Sequence, residues 1–577
     1  MRRSEPAGVA ARRRFALLVD SFDAAYQAAL VRFVRQACER QGLSLVVFPG
    51  GVIAGQSLSA EQRNHVYDLI SPARFDGLIV LAGTMTREVG VELLGEFCQR
   101  FRPLPMCSIG SHPHGIPSYL VDNAGGMRGL VRHLVEDHGY RRLAFVAGPP
   151  AHEEANERLV AFREEAWRLG IELRPEDVVH GDFMPGSGQA ALDALLGGGR
   201  RAPEAIIAAN DAMAMGILEA LTRQPPEIAA AIAVSGFDNV VETDFCSPPL
   251  TTVEQPLQRL AEAAVAGLMA QLAGSPGPEV TRLETRPVLR RSCGCDAARA
   301  AAPEMQRRMA SRGNSVLEFM RHRQEILTQL ALASDDIYAN VPRWRERLLD
   351  SFAEQIRGAP GADFLACARE LLRHSLLERH GETWRFHNVL SAIRVHGLPC
   401  VAGDLQQWAR AEDLLQAART LTGEAVLRGQ AHRLLSADQQ HLSMNYAGGQ
   451  LGEVRDEREL QEVLRGVARE LEVRRLAVVE FVEPGEQARL CAVVDELGGR
   501  TPAPAAGARF ERNRLVPHDA WLSDSSSWVV LPLFYQREPL GCLLTELCLY
   551  DGKAYESLRA HLSAALWALR RPRPPAI

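Results

Sequence analysis

Asp238 closes the short apolar run Ala231–Phe237, and the chain then passes Pro248 and Pro249 before resuming at Leu250-Thr251-Thr252-Val253. A carboxylate at the tip of a buried strand has three chemical readings. It can cap a helix, serve as a catalytic or metal-binding acid, or clamp a ligand held between two lobes. The other chemistry-bearing stretches are weaker. Gly186-Ser187-Gly188-Gln189-Ala190-Ala191 imitates a dinucleotide fingerprint, but Met184 and Pro185 separate it from the preceding apolar run and its last glycine is Ala191, so a polar turn is the better reading. His112-Pro113-His114 is a loop pair without visible metal partners, and His387 in Arg385-Phe386-His387-Asn388 reads as a helix-surface histidine. Cys293-Gly294-Cys295 is the close cysteine pair, with no histidine at zinc spacing near it in the sequence. G-x-S-x-G, H-E-x-x-H and diguanylate-cyclase signatures are absent, so neither a catalytic residue nor a metal site is expected and the chain is not read as an enzyme.

Composition bounds the partners. The chain has 577 residues, enough for several domains, and a formal net charge of -6. That balance argues against coating nucleic acid through the overall field. Lys553 is the one lysine, so no phosphate-cradling loop has its own. The 11 cysteines are scattered, as expected for buried thiols in a reducing cytoplasm. The apolar run in Met1–Asp20 is too short for a signal peptide, and no stretch reads as a membrane span. No cofactor is expected.

The elements must position those residues. Residues 14–290 alternate apolar runs with amphipathic segments: strands are expected at 14–19, 44–48, 77–81, 104–109, 118–121, 142–147, 177–183, 205–209 and 231–237. Strand–helix–strand repetition gives right-handed crossovers and parallel sheets, so the expected class is α/β in two lobes. Residues 296–442 are rich in Ala, Leu, Arg and Glu, and Pro342, Pro360 and Pro399 divide them into helices. The last of these, about 405–435, either pairs with a partner chain or lies in a bundle. Ser443–Gly452 reads as a linker, and an α+β pattern follows: helix 457–471, strands 476–481, 490–494, 528–534 and 540–547, a long loop 497–526, and helix 554–569.

Several motifs agree in order. Val121-Asp122-Asn123-Ala124-Gly125-Gly126 is followed by His138-Gly139-Tyr140, Phe145-Val146-Ala147-Gly148-Pro149, Glu157-Arg158, Ala209-Asn210-Asp211, Gly236-Phe237-Asp238 and Pro248–Val253. This set resembles the effector-binding domain of LacI/GalR-type repressors, a periplasmic-binding-protein-like fold, over about residues 14–295. The resemblance implies lobe 1 at about 14–123 and 252–277, lobe 2 at about 124–250 and 278–295, and a small molecule in the cleft between them. It implies ligand contacts from Arg158, Asn210 and Asp238, a stacking role for Phe183, and weaker candidates in Ser21, Phe22 and Tyr26. A guanidinium fork, an amide and a carboxylate suit a polar guest such as a sugar or nucleoside. Asn123 and Asp211 read as helix caps. Sugar-binding relatives often carry an acidic residue where this chain has Gly110. Residues 455–570 resemble GAF-like sensory modules, through Leu531-Pro532-Leu533-Phe534, Leu540-Gly541-Cys542 and Tyr555–Ala565.

LacI-type repressors begin with a helix-turn-helix. Here residues 1–13 read as a disordered basic start, which argues against direct DNA binding by that end. The expectation is a cytoplasmic small-molecule sensor, a homodimer, with a helical transmitter at 296–442, a linker at 443–454, a GAF-like domain at 455–570 and a tail at 571–577. It would act through a separate output protein, a kinase or a DNA-binding regulator. The alternative is a LacI-type transcriptional regulator that binds DNA directly through an unrecognised element.

Overall fold

The structure is a computed structural model that describes residues 12–53, 62–86, 89–197, 201–295, 316–334, 338, 341–359, 361, 363–377, 383–482, 486–497, 501–524, 527–547 and 552–570. Residues 1–11 of the basic start and the 571–577 tail lie outside them. The chain divides into two units: residues 1–294 with 440–577, and residues 295–439.

In the first unit, lobe 1 is built on β1 (Arg14–Val19), β2 (Ser44–Pro49), β3 (Gly77–Val80), β4 (Met106–Ile109) and β5 (Ser118–Val121), all parallel. β1 is buried along its whole length, as a strand covered on both faces must be, which is why it reads as an unbroken apolar run from Phe15 to Val19. Helices Ala25–Arg40 and Leu257–Leu272 cover one face, with Leu30, Val34, Ala261 and Val265 in a common core. Lobe 2 carries β6 (Leu143–Ala147), β7 (Val178–His180), β8 (Ala205–Ala208) and β9 (Ala233–Ser235), parallel in the order β7-β6-β8-β9.

Between the lobes, β10 (Thr252–Glu254) pairs antiparallel with β12 (Arg286–Val288). The strand before it, β11 (Val280–Leu283), adds to β5 in the sheet of lobe 1, so the expected boundary of lobe 2 at 278 is corrected. Of its residues Val280-Thr281-Arg282-Leu283 only Leu283 is buried at this sheet edge, a weaker signal than the buried central strands.

The C-terminal segment is β13 (Arg475–Val482), β14 (Gln487–Asp495), β15 (Arg509–Glu511), β16 (Ser527–Tyr535) and β17 (Glu538–Glu546), with helices Glu457–Glu470 and Gly552–Arg570. β15 and a short 3-10 turn at Trp521–Asp524 interrupt what the sequence reads as one long loop. β16 runs parallel to β2, with Ser527, Trp528 and Val529 opposite Leu45, Val46 and Val47. The two parts therefore share one 11-stranded sheet, in the order β11-β5-β4-β3-β1-β2-β16-β17-β13-β14-β15. Phe22 packs on Tyr555, ring centroids 5.3 Å apart, and Arg63 holds Glu556 through two hydrogen bonds of 2.8 and 2.7 Å.

The expected linker at 443–454 is instead helix: Leu405–Glu453 is continuous. Gly448 lies against helix Gly552–Arg570, where a Cβ would come within 2.4 Å of the His561 ring. Met444, Ala447 and Leu451 of the same turns enter the core. Tertiary packing outweighs the low helix propensity of Gly448, Gly449 and Gly452.

The second unit is helical. Helices Val316–Arg321, Arg323–Ser334, Trp344–Arg357, Phe364–Leu377 and Phe386–Gly397 surround a core that includes Phe319, Leu348, Phe352, Phe364 and Leu390. Breaks fall at Pro342 and Pro399 as the sequence implies, since proline cannot donate to the helix ladder; Pro360 lies outside the described residues.

Candidate functional site

Helix Glu153–Arg168 supplies the centre. His152 caps it, accepting from Ala155 N, and its Nε2 lies 2.6 Å from Gly83 O of lobe 1. One turn on, Glu154 and Arg158 share a face at i, i+4 spacing. Both are buried, Arg158 at 4% exposure and Glu154 at 6%. Arg158 Nε donates to Asn123 Oδ1 at 2.8 Å and Nη1 to Ala209 O at 2.8 Å. The same guanidinium stands 3.6 Å from Asp238 Oδ1 and 3.9 Å from Glu154 Oε1, and lies over Phe237, its central carbon 3.9 Å from the ring centroid.

Asp238 sits beyond β9 with φ 126°, a backbone region that non-glycine residues avoid and that clusters at ligand clamps. Its Oδ1 accepts from Gln255 Nε2 at 2.6 Å, and Tyr26 of lobe 1 donates to Gln255 Oε1 at 3.2 Å. Asn123, at the first crossing, also donates to Glu157 Oε2 at 2.8 Å. One network thus joins lobe 1, the crossings and lobe 2.

Its electrostatics are unbalanced. Burial pushes the Asp238 carboxyl well above its usual range, with Arg158 opposing and Asp211 and Glu154 adding to the rise. Burial raises Glu154 as well, again against Arg158. Burial and the neighbouring carboxylates also raise Tyr26. Two carboxylates face one guanidinium, so the site is short of hydrogen-bond donors. Donor-rich, polyhydroxylated guests complement it.

Gly110, where an acidic residue was to be looked for, is explained by lobe 2. Gly83 and Gly110 lie against each other, and a Cβ on Gly110 would come within 3.5 Å of Glu154 Oε2. The carboxylate enters from the opposite lobe, and the glycines leave room for it. His112 N donates to Glu153 Oε2 at 3.2 Å beside it.

The remaining candidates divide. Phe183, at φ 68°, packs edge-on to His152, centroids 4.8 Å apart, at the rim of lobe 2. Ser21 is partly exposed after β1. Phe22 is turned into the contact with Tyr555, away from the network. Asn210 is itself the cap of helix Asp211–Leu221, accepting from Met213 N at 3.0 Å, while its amide donates to Phe183 O at 3.1 Å. Asp211, one residue on, is fully buried and accepts from Thr252 Oγ1 at 2.6 Å and Val240 N at 3.0 Å, fixing the second crossing. Burial lifts its pKa to about 6. The first crossing repeats the offset: Asp122 caps, accepting from Gly125 N, and Asn123 faces Arg158. Both expected cap assignments, Asn123 and Asp211, are therefore corrected by one residue. Glu154 and Gln255 were not singled out from sequence; the Glu154–Arg158 helical spacing is the signal that finds the first.

Gly186 and Gly188 form the first turn of helix Pro185–Leu196 rather than a loop. A Cβ on Gly188 would stand 2.1 Å from Met213 O, so the glycine permits two helices to approach.

Parallel sheets in two lobes, joined by crossings that carry a buried polar network, define a two-lobed domain of the periplasmic-binding-protein-like type. Residues 131–293 match the family described as "Periplasmic binding protein-like domain". The ribose operon repressor of Escherichia coli is 29% identical over 274 residues, 47% of this chain and 79% of that protein. The HTH-type transcriptional repressor PurR of Pectobacterium atrosepticum is 31% identical over 278 residues, 47% of this chain and 77% of that protein. A solved structure described as a transcriptional regulator CelR–cellobiose complex is 28% identical, covers 49% of this chain and 86% of that chain, and has a TM-score of 0.42. The chain belongs to the LacI/GalR family of regulators. Among the described residues, no helix is long and apolar enough to cross a membrane.

Proposed function

We propose that this chain is a small-molecule-responsive regulator of transcription whose two lobes close on a donor-rich polar effector, a sugar, a nucleoside or a close analogue. The observation that carries this reading is the buried Arg158 guanidinium shared between Asn123, Ala209 O, Asp238 and Glu154. A guest's hydroxyls would enter this network, exchanging protein–protein hydrogen bonds for protein–ligand ones. Closure then biases the output, because a ligand shifts an equilibrium only by its differential affinity for the two states. The relatives' names, ribose operon repressor and transcriptional repressor PurR, support action on DNA and an effector of this class. They favour that route over signalling through a kinase, and they favour a binding protein over an enzyme.

One observation keeps a partner-mediated output in view. The match to the relatives spans 47% of the chain, so the helical unit and the C-terminal α+β segment are additional. In this reading residues 455–570 are a GAF-like module, supported by the antiparallel run β16-β17-β13-β14-β15 between helices Glu457–Glu470 and Gly552–Arg570. The protein acts as a cytoplasmic homodimer.

A mobility-shift assay of the full chain on DNA from its own upstream region tests the output. A sequence-specific complex that survives about 150 mM salt, and changes with effector, supports direct control. Binding seen only at low salt moves the output to a partner.

A further inference from the structure

The fold does what the sequence spacing does not: it brings two histidines to Cys293-Gly294-Cys295. Helix Asn123–Arg132 widens into a π-helical turn, His133–Asp137, and His138 follows directly. His133 Nε2 and His138 Nε2 stand 3.1 Å apart, and Cys293 Sγ stands 3.5 Å from His133 Nε2. With the Cys295 thiol, on the residue bonded to Gly294, the four ligand atoms lie within 4.8 Å of one another. Neither cysteine is in a disulfide.

The N–N and N–S separations of 3.1 and 3.5 Å are close to those of a tetrahedral site. With Zn–N of about 2.0–2.1 Å and Zn–S of about 2.3 Å, tetrahedral ligands put two nitrogens about 3.3 Å apart and a nitrogen and a sulfur about 3.6 Å apart. Two imidazoles and two thiolates are a structural zinc donor set, softer than magnesium or calcium accept.

The surroundings orient the ligands. His133 Nδ1 lies 2.7 Å from Asp137 Oδ2, so its proton sits on the side away from the cluster and Nε2 presents a lone pair. His138 is stacked on Tyr140, centroids 5.3 Å apart and planes 9° from parallel, and Tyr140 Oη donates to Cys293 O at 3.0 Å. Thr251 Oγ1 is 3.0 Å from Cys293 Sγ, placed to donate to a thiolate. Gly294, at φ 94°, makes the turn between the two cysteines, and a Cβ there would come within 2.9 Å of Tyr140 Oη. A carboxylate behind an imidazole and a hydroxyl on a sulfur are the supports that metal ligands have and that a chance group of side chains lacks.

We propose that His133, His138, Cys293 and Cys295 bind one zinc ion, a closed structural site that staples the third crossing to lobe 2. The four ligands fill a tetrahedral shell, so the ion's part is to hold the chain. It does so at the root of the hinge: Thr251 touches the sulfur, and its neighbour Thr252 bonds Asp211. Binding releases the two thiol protons.

The full chain, purified without chelator, is assayed for zinc by mass spectrometry. It is then stripped, titrated with Co²⁺ and followed by absorption. The expected result is about one zinc per chain, and a Co²⁺ spectrum with thiolate charge-transfer and intense tetrahedral bands. Stripping lowers the melting temperature by several degrees, and zinc restores it. The variant His138→Ala/Cys295→Ser loses the ion and the Co²⁺ spectrum while its far-ultraviolet dichroism is kept; Cys246→Ser, outside the cluster, retains both. A folded wild-type chain with less than about a tenth of an ion and no Co²⁺ thiolate band overturns the proposal, and so does a folded double variant that keeps its zinc. The wild-type titration decides the matter even if the double variant fails to fold.

Discussion

Lobe 1 has two junctions, and they are built from opposite materials. Towards lobe 2 it offers Gly83, Gly110 and Tyr26 to a network of carboxylates, amides and one guanidinium. Towards the C-terminal segment it offers the flank of β2, and β16 continues the ladder with Val46 and Trp528 fully buried. Water or a guest's hydroxyls can replace the partners of the first junction. Nothing in water replaces the second, where parting the strands strips a backbone ladder and exposes apolar side chains together. In the proposed function the first junction opens and closes, whereas the second joins two modules through one sheet. β2 would otherwise be an edge strand of Leu45-Val46-Val47, an aggregation hazard that β16 covers.

The largest effect is expected at the β2–β16 junction. Trp528 is fully buried and its Nε1 donates to Leu522 O at 2.9 Å. Trp528→Ala should cost about 3–5 kcal/mol by cavity formation and give a lower melting temperature with a tendency to aggregate. A melting temperature within a degree or two of wild type would make the seam a loose contact.

At the opening junction, the effect should fall on binding instead. Arg158→Met removes the cation shared by Asp238 and Glu154, and should weaken the effector by about 2–4 kcal/mol, read by calorimetric titration. The two carboxyls then take up protons, so the variant stays folded.

A smaller change isolates closure. A Cβ on Gly83 would stand 2.8 Å from Glu154 Oε2 and 3.2 Å from the Gly110 Cα. Gly83→Ala should hold the lobes apart and raise Kd about tenfold, about 1.4 kcal/mol, with little change in melting temperature. Unchanged affinity would mean that the lobes close without this contact.

The least effect is in pH. Asp211 has its pKa lifted from 3.8 to about 6, so between those values the folded protein holds a proton that the unfolded chain has released. Its contribution to stability is largest at low pH, falls as pH rises towards 6, and is flat above. Asp211→Asn should flatten the melting temperature between pH 5 and 7 relative to wild type, checked by calorimetry at both; identical slopes would remove Asp211 from the hinge's titration.

The strands were legible because β1, β3 and β8 are short runs of residues buried on both faces, bounded by turns. The β2–β16 pairing was not, because parallel partners some 480 residues apart leave no local mark. The sequence ends helix Leu405–Glu453 near 435 and reads 443–452 as a linker, because the packing of Gly448 against His561 on another helix leaves no local mark. In the site, Arg158 and Asp238 were found through motif resemblance. The exchange of roles between Asp122 and Asn123, and between Asn210 and Asp211, is a register of one residue at a helix start, where composition favours both neighbours equally. Glu154 carried a readable signal in its spacing to Arg158, whereas Gln255 reaches Asp238 only across the crossing. The histidines near Cys293 are invisible in sequence because His133 precedes it by 160 positions.

Whether the network around Asp238 holds the effector is decided on one variant with two readouts. A panel of sugars, nucleosides and polyols identifies a ligand by thermal shift on the full chain, with Kd on the order of 1 μM. Kd and melting temperature are then measured for Asp238→Ala beside wild type. The expected result is a loss of roughly 2–4 kcal/mol in binding with the fold retained, because the guest's donors would be buried without an acceptor. A lowered melting temperature with an unchanged Kd would contradict it and make Asp238 a structural residue of the crossing.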